Sequence, residues 1–519
     1  MKRFALLSLV ALTVASRLWA ESAAPANPAT LEPVGLFTDS MVLQRDAAVP
    51  VWGTAQPGET VTVSFAGQKK TAQADANGRW SVRLDALKAS NRPRELTIST
   101  ARESRTLKDV VVGDVWLCSG QSNMAFRMVE VANATQEIAA SKNPDVRFFK
   151  VAEKFAQQPV TTVKGEWRQL SPETTAECSA AAYYFAQTVQ RELGVPIGLL
   201  VSSIGGTRIE TWMARDTLTR LGLTEGLMKK WRDIPPEDFE QILTEYREYQ
   251  RQIYRVHPEA VRAAKAKGEP VPPEPKRPTM KGHDCPTALH NGMIAPLQPF
   301  AIRGFLWYQG ESNVGNAAHY PQLQPALVAD WRRAWGEDLP FLFVQIAPHK
   351  LSTPAFREAQ FRAWQATPRT AMVVTTDVGD AQNIHPTRKK PVGERLAAAA
   401  FALSYGRKTE YSGPVFRALK IEGARAVLTF DHISGGLDAK GEALKGFTIA
   451  GADGKFVPAR AEIKGAKVIV TADGVARPTA VRYGWASVPD VNLFNREGFP
   501  AVPFRTDNQS AEKPATEAN

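Results

Sequence analysis

Gly113 to Met124 reads GDVWLCSGQSNM, an apolar run that breaks at a turn of small and polar residues carrying Ser122. A strand ending this way presents the serine at its carboxyl end, where open α/β sheets bind ligands. The amides of a strand-to-helix turn can also stabilise the oxyanion that forms when a serine attacks an ester. Two further segments share this texture. Gly304 to Asn313, GFLWYQGESN, runs apolar residues into an amide-rich turn, and Asp377 to Lys390, DVGDAQNIHPTRKK, follows the apolar Met372–Thr376 with a loop that holds His385. A hydroxyl, a base for its proton and donors for an oxyanion are the groups of nucleophilic acyl transfer. The expected chemistry is ester hydrolysis through an acyl-enzyme, with Ser122 as nucleophile and His385 as base. The other six histidines, at 257, 283, 290, 319, 349 and 432, fall in an inserted segment, in other loops or near the C-terminal end.

With SIGGTRIETW and NGMIAPL, the motifs GDVWLCSGQSNM, WYQGESN and IHP-x-x-K make the chain resemble the sialate O-acetylesterase family of the SGNH hydrolase superfamily, in the expected order over roughly Leu31 to Thr506. The resemblance implies a flavodoxin-like catalytic domain, no metal or organic cofactor, and hydrolysis of acetyl esters on sugars. Oxyanion donors are expected from the Ser122 amide, from Gly206 in the turn after Ile197–Ser203, and from a side-chain amide of the Gln309–Asn313 turn. The superfamily usually offers an asparagine there, and both Gln309 and Asn313 are open to the role. Superfamily members commonly place an aspartate three residues before the histidine, but Gln382 occupies that position. Asp380 is the expected orienting acid, with a Ser-His dyad or an acid from elsewhere as alternatives. Gln121 and Glu311 are assigned to the substrate; Glu311 cannot donate when charged and either braces its loop or binds a substrate hydroxyl. Arg208 is the candidate for a substrate carboxylate, against a structural pairing with Glu210 or Asp216.

The elements that position these residues follow from periodicity. Between Glu32 and Val112, short strands separated by Gly, Pro, Asn and Asp turns predict a β-sandwich over residues 31–112. From 113 to 412, strands such as Ile197–Ser203 and Gly304–Tyr308 alternate with helices such as Ser179–Leu193 and Tyr320–Trp335, which predicts a mostly parallel sheet covered by helices and thus an α/β catalytic domain. A helical insertion is placed at 220–285, where apolar residues recur at helical spacing over Pro236–Val256; it either packs on the surface or forms a lid or dimer contact beside the site. Residues 413–506 are again β in texture, and 507–519 read as a disordered tail.

Composition bounds the rest. The 519 residues are 44% hydrophobic and 23% charged, as in ordinary globular protein. Residues 1–20, with Lys2-Arg3 before the apolar Phe4–Val14, read as a secretory signal and predict a secreted or periplasmic protein. The apolar run is too short to span a membrane. Removing 1–20 deletes Lys2, Arg3 and Arg17 and no acid, lowering the formal charge from +11 to +8. That balance suits acidic glycans, and no Lys/Arg block is long enough to suggest nucleic acid. Cys118, Cys178 and Cys285 allow at most one bridge. His283-Asp284-Cys285 with His290 matches no established zinc spacing. The expected partner is therefore an O-acetylated carbohydrate; nothing in the sequence sets an oligomeric state. The competing class is a glycan-binding protein on an inert hydrolase scaffold, stacking sugars on exposed aromatics such as Trp52 or Trp80.

Overall fold

A computed structural model describes residues 30–441 and 443–507. The expected signal, residues 1–20, and residues 508–519 of the expected tail lie outside the described residues. Asp507 is ion-paired with Arg482 at 2.8 Å.

Seven strands build the sheet that carries the site. They are β1 (Ser104–Gly120), β2 (Asn143–Lys150), β3 (Trp167–Leu170), β4 (Ile197–Ser203), β5 (Gly304–Tyr308), β6 (Phe341–Val344) and β7 (Thr370–Val373). Their order is β3-β2-β4-β1-β5-β6-β7, and every neighbouring pair is parallel except β3 with β2. The helices used below are α1 (Ser122–Ala125), α2 (Ala180–Leu193), α3 (Pro236–Arg251), α4 (Tyr320–Trp335), α5 (Pro354–Gln365) and α6 (Lys390–Leu403).

Parallel strands covered on both faces need continuous apolar runs, and alternation then decides which layer each side chain joins. Leu117, Phe305 and Trp307 enter the core under α4 and α5, with Trp331 and Phe356. Trp116, Cys118, Leu306 and Tyr308 enter the opposite core, under α2 and α6, with Phe185 and Leu396. Cys118 is thereby a fully buried thiol, and burial pushes its pKa up. It is a packing residue, as its apolar strand implies. α2 starts where Ser179 Oγ accepts the Ala182 amide and ends at Gly194, the expected Ser179–Leu193 helix to within one residue.

The N-terminal β region is two-layered as expected, but it is not separate from the catalytic domain. β1 pairs with Val42–Gln44 and Ser90–Ser99 in its first half and joins the central sheet in its second. The boundary expected between 112 and 113 therefore falls inside one 17-residue strand. Trp80 is buried, and Trp52 packs edge-on against Phe37 with ring centroids 5.0 Å apart, so neither is a free sugar platform. The C-terminal region forms two four-stranded sheets and a two-stranded pair around its own core, including Phe430, Phe447 and Tyr483. It is clamped to α5: the buried Arg357 donates to the carbonyls of Ala486 and Ser487, and Glu358 pairs with Arg505 at 3.1 Å.

Candidate active site

The register of the central strands levels the turns that follow them. Gly120 at the end of β1 lies opposite Ser203 of β4 and Tyr308 of β5. The strand order also switches here, with β2 and β4 laid down on one side of β1 and β5 to β7 on the other. Crevices open at such a switch point. Gly120 has φ +134°, and a Cβ there would lie 2.2 Å from the Tyr308 carbonyl oxygen, so only glycine keeps β1 against β5 to its last residue. Gln121 then donates its amide to the Tyr308 carbonyl at 2.9 Å, and Ser122 opens α1.

Ser122 is half-buried. Its amide, at the first helical position, makes no hydrogen bond among the described residues. The turn after β4 comes up beside it: a Cβ on Gly205 would stand 3.3 Å from Ser122 Cβ. Gly206 follows with φ +73°, and its amide is likewise uncommitted among the described residues.

The turn after β5 separates Gln309 from Asn313. Gln309 spends both amide hydrogens, on the Thr207 carbonyl at 3.1 Å and Asn313 Oδ1 at 2.7 Å, while its Oε1 accepts from Tyr320. Asn313 Nδ2 gives one hydrogen to Glu210 at 2.9 Å and keeps the other, and its Oδ1 also takes the Ile209 amide. Asn313 therefore retains a donor and Gln309 does not. Gln121 is buried, and its Oε1 accepts the amides of Gly310 and Ser312, each at 3.3 Å, so its oxygen braces this turn.

His385 reaches the site by a detour. β7 stands three strand spacings from β1, about 14 Å, and the loop after it folds back over α1. Asn123 Nδ2 holds the Ile384 carbonyl at 3.1 Å, and the His385 ring packs on Phe126 with centroids 6.4 Å apart. Ser122 Oγ and the His385 ring are not hydrogen-bonded to each other. Burial, with help from Lys389 and His349, holds the imidazole below its usual pKa, which favours the neutral form a base requires. Asp380 does not bond His385: its Oδ1 accepts the amides of Gln382 at 2.8 Å and Asn383 at 3.1 Å, an Asx-type turn that shapes the loop.

A sequence profile of the carbohydrate esterase, sialic acid-specific acetylesterase family matches residues 112–243 and 286–402. The sialate O-acetylesterase of Mus musculus is 30% identical over 438 residues, covering 76% of this chain and 77% of the mouse protein. The chain belongs to the sialic acid-specific acetylesterase family. The human sialate O-acetylesterase is 29% identical over 444 residues, with 76% and 75% covered. A crystal structure of a carbohydrate acetylesterase from Xanthomonas citri is similar with a TM-score of 0.77 and 37% identity, over 92% of this chain and all of that one. This esterase is thus a carboxylic ester hydrolase that removes O-acetyl groups from carbohydrates. Its first matched block contains Ser122 and Gly206, its second Asn313 and His385.

Beneath the serine lies a buried polar group that no sequence signal marks. Lys389 Nζ donates to Asn123 Oδ1 and sits over the rings of Phe126 and Tyr308, 4.8 and 5.1 Å from their centroids. Asn123 Nδ2 donates to Glu311 Oε1 at 2.6 Å, while Glu311 Oε2 is buried with no hydrogen-bond partner among the described residues. Glu311 thus braces α1 against the β5 turn. Lys389 closes the IHP-x-x-K segment, but in a run of Arg388, Lys389 and Lys390 nothing marks one cation as buried. Arg208 does not make the expected structural pairing with Glu210 or Asp216: its Nε stands 3.6 Å from Asp284, and Glu210 faces Asn313. The remaining metal-like residues diverge, with His283 on Gly205 and Cys285 on a backbone carbonyl. Among the described residues no group of three His, Cys, Asp or Glu side chains is placed to hold a metal.

Burial pushes the Lys389 ammonium down to about 7, with Glu311 and Glu130 pulling the other way. In the unfolded chain the lysine returns to its usual value near 10.4. Above pH 7 the folded state has released a proton that the unfolded state still holds, so this group adds stability as pH rises towards 10. Wild type should therefore gain stability over Lys389→Met between about pH 7 and pH 10. Urea midpoints of both proteins across that range check it, and a constant difference would mean an unshifted lysine.

Proposed function

We propose that this esterase is a serine hydrolase of the flavodoxin-like SGNH kind, acting through an acetyl-enzyme on Ser122. His385 takes the Ser122 proton as the hydroxyl attacks the acetyl carbonyl and returns it to the leaving sugar oxygen. The amides of Ser122 and Gly206 and the free hydrogen of Asn313 Nδ2 receive the oxyanion. Water, deprotonated by His385, then releases acetate. The reading is carried by one observation: three adjacent strands bring a serine and three uncommitted donors to the same end of the sheet. His385 works here without Asp380, as a dyad whose ring is held by packing on Phe126. An inert glycan-binding scaffold has no reason to keep these donors free.

The segment 1–20 supports export, to the periplasm or beyond, where acetylated glycans are met. Among the described residues no helix is long and apolar enough to cross a membrane. Relatives are named for sialate, and the basic charge suits its carboxylate. Arg208, however, shares its guanidinium with Asp284. Acetate release from O-acetylated sialic acid and from acetylated xylo-oligosaccharides should be compared in wild type and Arg208→Ala. We expect activity on acetylated sugars, with both rates in the mutant within about threefold of wild type, since a half-buried pair held at 3.6 Å contributes little. No acetate from either substrate overturns the esterase reading; a selective loss on sialate restores Arg208 as the carboxylate anchor.

A further inference from the structure

The inserted segment reaches the turn after β4 through a buried histidine. Residues 244–285 fall between the two blocks matched by the family profile, and His283 within them is buried, with Nδ1 3.0 Å from the Gly205 carbonyl oxygen. A carbonyl can only accept, so Nδ1 carries the proton and donates. The ring is fixed from two sides: Phe155 stacks on it with centroids 5.0 Å apart and an interplanar angle of 14°, and Tyr246 of α3 meets it edge-on at 4.7 Å. A Cβ on Gly206 would approach His283 Nδ1 to 3.9 Å and Gln250 Nε2, near the end of α3, to 3.6 Å.

The bond between Gly205 and Gly206 makes this contact consequential. A peptide is planar, with its carbonyl and N–H on opposite sides. Fixing the Gly205 oxygen therefore aims the Gly206 hydrogen. A donor on the oxygen also polarises the unit and strengthens that N–H as a donor. Neither glycine has a side chain to hold the turn, and φ +73° at Gly206 is a conformation glycine leaves readily.

We infer that His283 is a positioning residue of the reaction, through which the helical insertion aims the Gly206 amide at the oxyanion. The insertion is then part of the active site and not a surface excursion. Burial pulls the His283 pKa down to about 4, so the ring stays neutral over the range in which an esterase of this kind works. The inference rests on the oxyanion reading above.

The test separates the two. His283→Phe keeps a ring between Phe155 and Tyr246 and removes the donor; His283→Asn keeps a donor at the reach of Nδ1. With an acetyl ester, His283→Phe is expected to lower kcat about tenfold with KM within twofold, less than the hundredfold or more of losing an oxyanion donor outright. His283→Asn should recover to within about threefold of wild type. Affinity for phenylboronic acid, which forms a tetrahedral adduct on a reactive serine, should weaken in His283→Phe by the same factor as kcat. Unchanged kcat in His283→Phe, equal losses in both variants, or a kcat loss without weaker boronate binding overturns the role of His283. Asn313→Ala run alongside distinguishes the failures. If it weakens boronate binding and His283→Phe does not, the oxyanion site stands and His283 is structural; if neither does, the oxyanion reading itself falls.

Discussion

Ser122→Ala is expected to lower kcat for acetyl release by roughly three orders of magnitude or more, with thermal unfolding unchanged. Ser122 is half-buried and its hydroxyl makes no hydrogen bond among the described residues, so alanine forfeits little. His385→Ala should cost as much, and the double variant little more, because nucleophile and base act as one unit. Kinetics of the two single variants and the double decide the matter. Retained turnover in a folded Ser122→Ala protein removes the nucleophile, and additive losses would mean that the two residues serve different steps. Asp380→Asn is the companion control. Asparagine keeps the oxygen that accepts the Gln382 and Asn383 amides, so the loop survives and only the charge is lost. Its expected cost is below about fivefold, whereas an orienting acid in a triad is worth far more.

Asn313→Ala is expected to reduce kcat by about a hundred- to a thousandfold, the usual range for one oxyanion donor, with KM nearly constant. In the wild type Gln309 offers no free hydrogen, because both are given to Thr207 and Asn313; Asn313→Ala releases one of them, on a side chain still tied to Thr207 and Tyr320. The substitution also frees the Ile209 amide and leaves Glu210 without one of its two donors, so some stability is lost as well. An unsatisfied buried partner costs about 1–3 kcal/mol, a fall that a urea midpoint registers separately from turnover. A loss confined to KM would place Asn313 in substrate binding and leave the oxyanion with backbone donors alone.

Much of this was legible in the chain. Apolar runs such as Gly304–Tyr308 and Ile197–Ser203 can only be strands buried on both faces, and their observed limits coincide with the expected ones. Helix Tyr320–Trp335 likewise coincides, since its 3.6-residue period and terminal Gly336 define it locally. Strands Gln68–Gln73, QKKTAQ, and Asn143–Lys150, NPDVRFFK, were passed over. The first is a polar hairpin strand that borrows its order from Thr60–Phe65; the second begins with turn-forming residues. The break expected at 112/113 failed for a related reason, because strand texture does not say which sheet a residue joins.

The sequence by itself determined the serine, the histidine and the two amide-bearing turns, because each ends an apolar strand and turn chemistry is local. Tertiary structure alone decided how their polar groups are spent. Gln309 and Asn313 look alike in sequence, and only their neighbours show which keeps a hydrogen. Asp380 became a loop brace, Gln121 and Glu311 became supports, and Arg208 turned to Asp284. Lys389 is one of three consecutive cations, and only the sheet places it, and not its neighbours, under the Ser122 turn. Most of these assignments depend on partners far along the chain, such as Asn123, 188 residues from Glu311 and 266 from Lys389. Hydrogen-bond satisfaction in a buried site is a sum over the whole fold, and no window of sequence contains it.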